Sequence, residues 1–480
     1  MNTQANITQL QQFREGLYQI LGPRRDAAID LVDALSSNLT ARSVVELSLS
    51  SLFRRMYSSI TDAITYWFQA SKPEKEEEER RAREKELARL IGRYLPPPQQ
   101  RKFWLFGTDV VPIPRLYAKK LADRTFVYQP NVIRGNKPVT IGHAYSAQVF
   151  FPEKRHCDAP PWVVPMIVRR VHSTEKATVV GAEQMTTLME DETQPFHRAL
   201  CVHVGDCVYS SVQYLGRVGH YSRLVNISRA AGNRVFYHQF QAEPGTKKPG
   251  HPRWYGDRFS LKESTTWGSP DETAETTFTT KKRQTYRVQL QGWHNLLMRG
   301  KKDLSMHRYP FTLVRAVVLD EQGKQVFKRA MWLIVMGERR GELSLVEIWD
   351  AYAQRYDIEH YFRFGKQRLL MAAFQTPEVA HEENWLQIVQ VATVQLWLAC
   401  ELADIQLRKW ERYLPKRKDG TVPPSQVRRD FERIIRQVGT PARAPKQRGK
   451  SPGRAKGTQP PHRQRRPVIK KHRKTRKKAA

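Results

Sequence analysis

The chain has 480 residues and a mass of 55.9 kDa, room for roughly three domains at about 150 residues each. A hydrophobic fraction of 40%, with 11 Trp, 19 Phe and 18 Tyr, excludes a wholly disordered chain. The excess of 81 Lys plus Arg over 47 Asp plus Glu gives a formal charge of +34, which calls for a polyanionic partner, above all nucleic acid. Four cysteines are too few for a disulfide framework and fit a reducing compartment. The polar start lacks a basic-then-apolar leader, and the most apolar long stretch, residues 385–400, is interrupted by Gln387, Gln390 and Gln395. It is too short and too polar to span a bilayer, so the expectation is a cytoplasmic protein with no membrane partner.

Residues 8–70 carry apolar positions at three- and four-residue spacing and predict helices. Within them, residues 43–47 and 51–64 flank Ser48-Leu49-Ser50, with Arg54 and Arg55 opening the second segment. That pattern suits either a helix-turn-helix or a plain bundle, and residues 1–72 are expected to form an N-terminal helical, DNA-binding domain. Residues 73–98 read as a charged linker helix, solvated on most sides and ended by Pro96-Pro97-Pro98.

Beyond the prolines the texture becomes β-like. The run Phe103-Trp104-Leu105-Phe106 leads into Gly107-Thr108-Asp109, and residues 139–151 and 162–171 are further strands. A helix over 176–190 precedes the strand 199–204, which ends in Gly205-Asp206; residues 224–228 and 234–237 follow as strands. Strands followed by a crossover helix predict an α/β fold over 99–238. Residues 239–330 form a β-rich insertion, with strands near 286–291 and 311–319, and 331–413 return to the α/β pattern through long helices at 344–370 and 377–407. The last part, 414–480, is expected to be a basic disordered tail; residues 441–480 hold sixteen Lys or Arg and no acid.

Asp109 and Asp206 each close an apolar strand. An aspartate there is commonly a turn former, but two on neighbouring strands of one sheet can converge on Mg²⁺ or Mn²⁺ if a third carboxylate joins them. The helix over 344–370 offers one. Tyr352, Arg355, Glu359 and Lys366 fall within an arc of about 60° at 100° per residue, with Arg363 beside them. The same spacing also makes an ordinary ladder of i,i+4 ion pairs.

These four residues carry a resemblance. Tyr352-x2-Arg355-x3-Glu359-x6-Lys366 resembles, without a gap, the Y-R-E-K motif of bacterial insertion-sequence transposases of the DDE superfamily. Asp109, Asp206 with Tyr209 three residues on, the β insertion, the run 123–131 and the strand Met331-Trp332-Leu333-Ile334-Val335 stand in the family's order. The resemblance covers residues 99–400. It implies a ribonuclease-H-like catalytic domain in which Asp109, Asp206 and Glu359 hold two Mg²⁺ or Mn²⁺ ions. It further implies that Tyr352, Arg355, Lys366 and Arg363 contact the DNA and that Trp332 stacks on a flipped base. The implied activity is cut-and-paste transposition through a hairpin, acting on double-stranded DNA as a homodimer. A catalytically inactive DNA-binding descendant is the alternative, and metal-dependent cleavage separates the two.

Overall fold

The computed structural model describes residues 3–129, 135, 137–154, 156, 159–241, 253–280, 284–405, 407–411, 421–446, 453, 455–459 and 462–470. Four helices come first: α1 (Thr3–Ile20), α2 (Arg25–Ser36), α3 (Ser58–Thr65) and α4 (Glu76–Gly92). Then β1 (Trp104–Pro114), β2 (Thr125–Tyr128), β3 (Val139–Phe150) and β4 (Val164–Val171) lead to α5 (Ala177–Met189), β5 (Cys201–Gly205), α6 (Val212–Val218) and β6 (Leu224–Arg229). The β-rich stretch holds β7 (Val235–Gln239), β8 (Tyr255–Ser260), β9 (Glu272–Thr279), β10 (Thr285–Leu296), β11 (Phe311–Leu319) and β12 (Met331–Met336). Helices α7 (Leu345–Gln354), α8 (Asp357–Arg368), α9 (Val379–Leu398) and α10 (Pro424–Val438) complete the described elements.

Ten strands form one mixed sheet in the order β2-β3-β1-β5-β6-β12-β11-β10-β9, with β4 also on β3. β2 pairs with the start of β3 (139–142) and β4 with its remainder, so the two lie end to end along one edge of β3. β1, β5 and β6 run parallel, and β3 and β12 run antiparallel to their neighbours. This mixed α/β architecture is compatible with the expected ribonuclease-H-like fold. The β-rich stretch continues the same sheet, because β12 pairs with β6, while β7 and β8 form a two-stranded sheet of their own.

The core is continuous from Leu10 to Ala442. Helix α9 is its axis. It is polar by composition in places, yet Gln387, Gln390 and Gln395 are buried, each spending its amide on a neighbour. Trp67 donates to Gln387, Gln390 to the Met166 carbonyl, and Gln395 joins Arg14 and Asp33 beneath α1 and α2. The N-terminal helices are thereby packed on α9 and share the core of the sheet.

Four expectations need correcting. Residues 45–49 form a 3-10 turn and the second segment is helical only over the eight residues of α3, so the helix-turn-helix pattern is not realised. Arg54 and Arg55 precede α3 and both turn to the buried carboxylate of Asp30, at 2.7 and 3.1 Å. Charge in α4 is only partly solvated: Glu84 meets Arg169 at 2.6 Å and Arg80 meets Glu383 at 3.1 Å, which lets one charged side of the helix sit against β4 and α9. The 344–370 helix is two, α7 and α8. Finally, the expected tail contains α10, whose Val427, Phe431, Ile434, Ile435 and Val438 repeat at helical spacing and are buried. Residues 414–420, 447–452, 454, 460–461 and 471–480 of that expectation, and the Pro130-Asn131 end of the 123–131 run, lie outside the described residues. Among the described residues no helix is long and apolar enough to cross a membrane, and Cys201 and Cys207 are free thiols.

Candidate active site

Register places the first two carboxylates. β1 and β5 pair in parallel up to Thr108 opposite Gly205, so Asp109 and Asp206 occupy the next level on adjacent strands. Asp109 is not at the end of its strand, as the sequence suggested: β1 continues to Pro114 because β3 still pairs with it there, after β5 has ended. Asp206 does follow its strand directly. Its carboxylate accepts from the Val208 N–H at 2.9 Å and its carbonyl from the Tyr209 N–H at 3.2 Å, which bends the chain away from the sheet. Gly205 is required there, since a Cβ would stand 2.7 Å from the Tyr209 Cβ.

The next strand adds a residue that the sequence reading did not single out. Ser228 of β6 lies opposite Gly205, so Arg229 follows at the level of Asp206. A cation closing an apolar strand was the available signal.

Beneath this row the sheet is polar and closed. Thr108 meets the buried His203 at 2.8 Å, and His203 meets the Tyr214 hydroxyl at 3.0 Å. Burial pushes His203 down to about 3, so it is neutral and fixes the two strands without adding charge.

The third carboxylate arrives on α8. Between α7 and α8 the backbone stays helical but tightens: Arg355, Tyr356, Ile358 and Glu359 each donate to the carbonyl three residues back, at 3.1 to 3.3 Å. Tighter winding advances these residues by about 120° instead of 100°, which shifts the face computed for a regular helix. Its effect is to direct Arg355 at both partners. The guanidinium donates to Asp109 at 3.4 Å and stands 3.8 Å from Glu359, with its carbon 5.7 Å from the Tyr352 ring centre. Tyr352 is buried, whereas Arg363 and Lys366 are exposed on α8.

Burial pushes the Asp109 carboxyl up to about 6; the charges of Asp206 and Glu359 add to the rise, against the Val110 N–H and Arg355. Three carboxylates therefore share a field with one arginine among them. Among the described residues no three His, Cys, Asp or Glu side chains are gathered closely enough to grip a metal ion. The donor set nevertheless fits a hard divalent cation: the groups are oxygens, they repel one another, and a positive group already lies between two of them.

Trp332, on β12, is 6% exposed and lies in a cluster of rings, 5.0 Å from Trp267, 5.6 Å from Trp293 and 6.2 Å from Phe259. Trp267 is the more exposed ring and has Arg315 over it at 5.4 Å.

Residues 16–294 match the family of DDE superfamily endonucleases. The chain belongs to that family. The match takes in Asp109 and Asp206 and ends before Glu359. No curated protein matches the chain. A DDE superfamily endonuclease is a transposase-like nuclease with DNA as its substrate, and such endonucleases generally use divalent metals such as Mg²⁺.

Proposed function

We propose that this DDE superfamily endonuclease is a cut-and-paste transposase of the Y-R-E-K type, which binds the terminal inverted repeats of its own insertion sequence. The level placement of Asp109 and Asp206 on adjacent parallel strands, with Glu359 brought toward Asp109 through Arg355, carries the reading. In it, Asp109, Asp206 and Glu359 hold two Mg²⁺ or Mn²⁺ ions. When bound, the metal ions activate the attacking oxygen and stabilise the leaving oxygen of a phosphodiester.

The protein's own groups position the DNA. Arg355, supported by Tyr352, and the exposed Lys366 and Arg363 donate to phosphate oxygens of the transferred end, and Arg229 extends that line along the strand ends. Thr108 and His203 keep β1 and β5 in register, so the two aspartates stay level. The reading includes nicking, hairpin formation, hairpin opening and joining of a 3′-hydroxyl to target DNA, by a cytoplasmic homodimer holding two ends. It keeps residues 99–238 and 331–413 as the two parts of the catalytic domain around the 239–330 insertion.

The test uses a labelled DNA fragment carrying the gene with its flanks, purified protein and Mg²⁺. Paired nicks at inverted repeats are expected with the wild type and none with Glu359→Ala. DNA binding without metal-dependent cleavage in either protein would establish the inactive descendant instead.

Trp332→Ala should leave the first nick intact and impair the hairpin, because stacking on an extruded base offsets its unpairing by about 1–3 kcal/mol. Resolving nicked from hairpin ends on a denaturing gel decides it. A normal hairpin yield rejects Trp332, and loss only in Trp267→Ala moves the role to that ring.

Arg355 also behaves as an internal cation for the carboxylates. Arg355→Ala should bind Mn²⁺ about tenfold more tightly in calorimetry without DNA, a change of ~1.4 kcal/mol, while DNA cleavage falls. Weaker or unchanged Mn²⁺ binding would refute that role.

A further inference from the structure

The outer edge of the sheet presents a second surface that the cleavage reading does not use. Thr125 and Ile469 form a parallel bridge, and the segment around it is held by donation from the Ile469 N–H to the Arg124 carbonyl at 2.8 Å and from the Arg466 N–H to the Lys119 carbonyl at 2.9 Å. Arg124 is the clamp. The residue is 3% exposed, and its guanidinium spends its N–H groups on carbonyls alone, those of Leu121, Arg115, Leu116, Lys119 and, at 3.1 Å, Arg466. Residues 463–469 are therefore bound to the catalytic sheet like an added strand.

That edge is aromatic and cationic together. Tyr117 is 87% exposed, Phe126 51% and Tyr128 63%. Phe126 and Tyr128 alternate with buried residues on β2, so they point to one face about 7 Å apart. Lys119 and Lys120 follow Tyr117, and Arg465 and Arg466 lie on the docked segment; among the described residues none of these four makes an ion pair. The nearby acids are engaged, Asp123 with Arg170 and Glu378 with Arg463. Exposed rings beside unpaired cations match a polyanion that also offers flat, unstacked faces.

We propose that this edge, β2 with the loop before it and the docked 463–469 segment, is a binding surface for single-stranded DNA, separate from the carboxylate site. Base stacking on Tyr117, Phe126 and Tyr128 supplies affinity without sequence preference, and the cations follow the phosphates. Geometry links the two sites. β2 lies two strands from β1 and five residues along it from Asp109, or about 20 Å away, within reach of one strand displaced at a cut end.

The experiment measures binding of a fluorescent 15-mer of thymidine and of a duplex of equal length, by anisotropy, with the full chain and no divalent metal. The variant Tyr117→Ser, Phe126→Ser, Tyr128→Ser should lose at least tenfold in single-strand affinity with less than a twofold change for duplex. Tyr117→Ala alone, at the most exposed ring, should lose severalfold and guards against a folding defect in the triple variant. Lys119→Glu with Lys120→Glu should weaken both ligands and flatten the salt dependence. Single-strand affinity kept within twofold in the first two variants overturns the proposal, as does a loss of self-association in sedimentation with DNA binding unchanged, which would make the edge a protein contact. Since no metal is added, failure of cleavage would leave this result standing, and the converse holds.

Discussion

Alanine at Asp109, Asp206 or Glu359 is expected to lower DNA cleavage at least a thousandfold while duplex affinity changes less than about threefold, because each removes an oxygen donor and none removes a phosphate-binding cation. Glu359 gives the cleanest case. Its side chain is 44% exposed, so its loss leaves no hole in the core. Asp109 adds an internal control. Its carboxyl is raised to about 6 by burial and by the neighbouring carboxylates, so at neutral pH it is ionised in a place that resists the charge. Asp109→Ala should then melt no lower than the wild type even as it stops cutting, the pattern of a residue kept for chemistry at some expense of stability. Gel-resolved cleavage, duplex binding and melting curves, taken together, decide the matter. A variant that still cuts removes its residue from the site, and a melting temperature several degrees lower for Asp109→Ala would make that aspartate structural.

The second large effect is on stability. Glu382 of α9 is fully buried and receives the Arg115 guanidinium, His143 Nδ1 at 2.7 Å and the Tyr145 hydroxyl at 2.9 Å. Arg115, itself fully buried, also donates to the Pro114 and Ala372 carbonyls at 2.9 Å. Glu382→Ala would leave that guanidinium without its counter-charge, and the expected cost is about 3–5 kcal/mol in urea unfolding. Less than 1 kcal/mol would show that Arg115 is satisfied by carbonyls alone. The sign of the pH dependence follows. Burial drives the Glu382 carboxyl upward, but the hydrogen bond from His143 and the charge of Arg115 outweigh it and hold it below the ordinary value. Its contribution is therefore complete at neutral pH and disappears as the pH falls through that lowered value, at the acid edge of the carboxylate range. The wild type should lose stability there, and Glu382→Gln should have a shallower acid limb.

Much of this architecture is written locally. The strand runs of β3, β4, β5 and β11 and the crossover helix α5 were legible because apolar, β-branched and aromatic residues mark a strand wherever it goes. Asp109, Asp206 and Glu359 were legible as types at a spacing, through the resemblance of the Tyr352 to Lys366 motif. Helix α10 was missed although Val427, Phe431, Ile434, Ile435 and Val438 carry its period, because the surrounding basic composition masked it.

Other features depended on partners far along the chain. The charge of α4 reads as solvated until Arg169 and Glu383 are brought against Arg80 and Glu84. Arg54 and Arg55 read as the opening of a second helical segment until Asp30 claims both. Asp109 reads as a strand end until β3 prolongs β1 past it. By itself the sequence determined the kinds of element, the net charge and the acids proposed for the site. Tertiary structure alone decided which acids stand level, which cations are spent internally, and that Arg355 lies between Asp109 and Glu359. The reason is physical: periodicity and composition act over a few residues, whereas charge pairing and strand register are set by groups hundreds of residues apart.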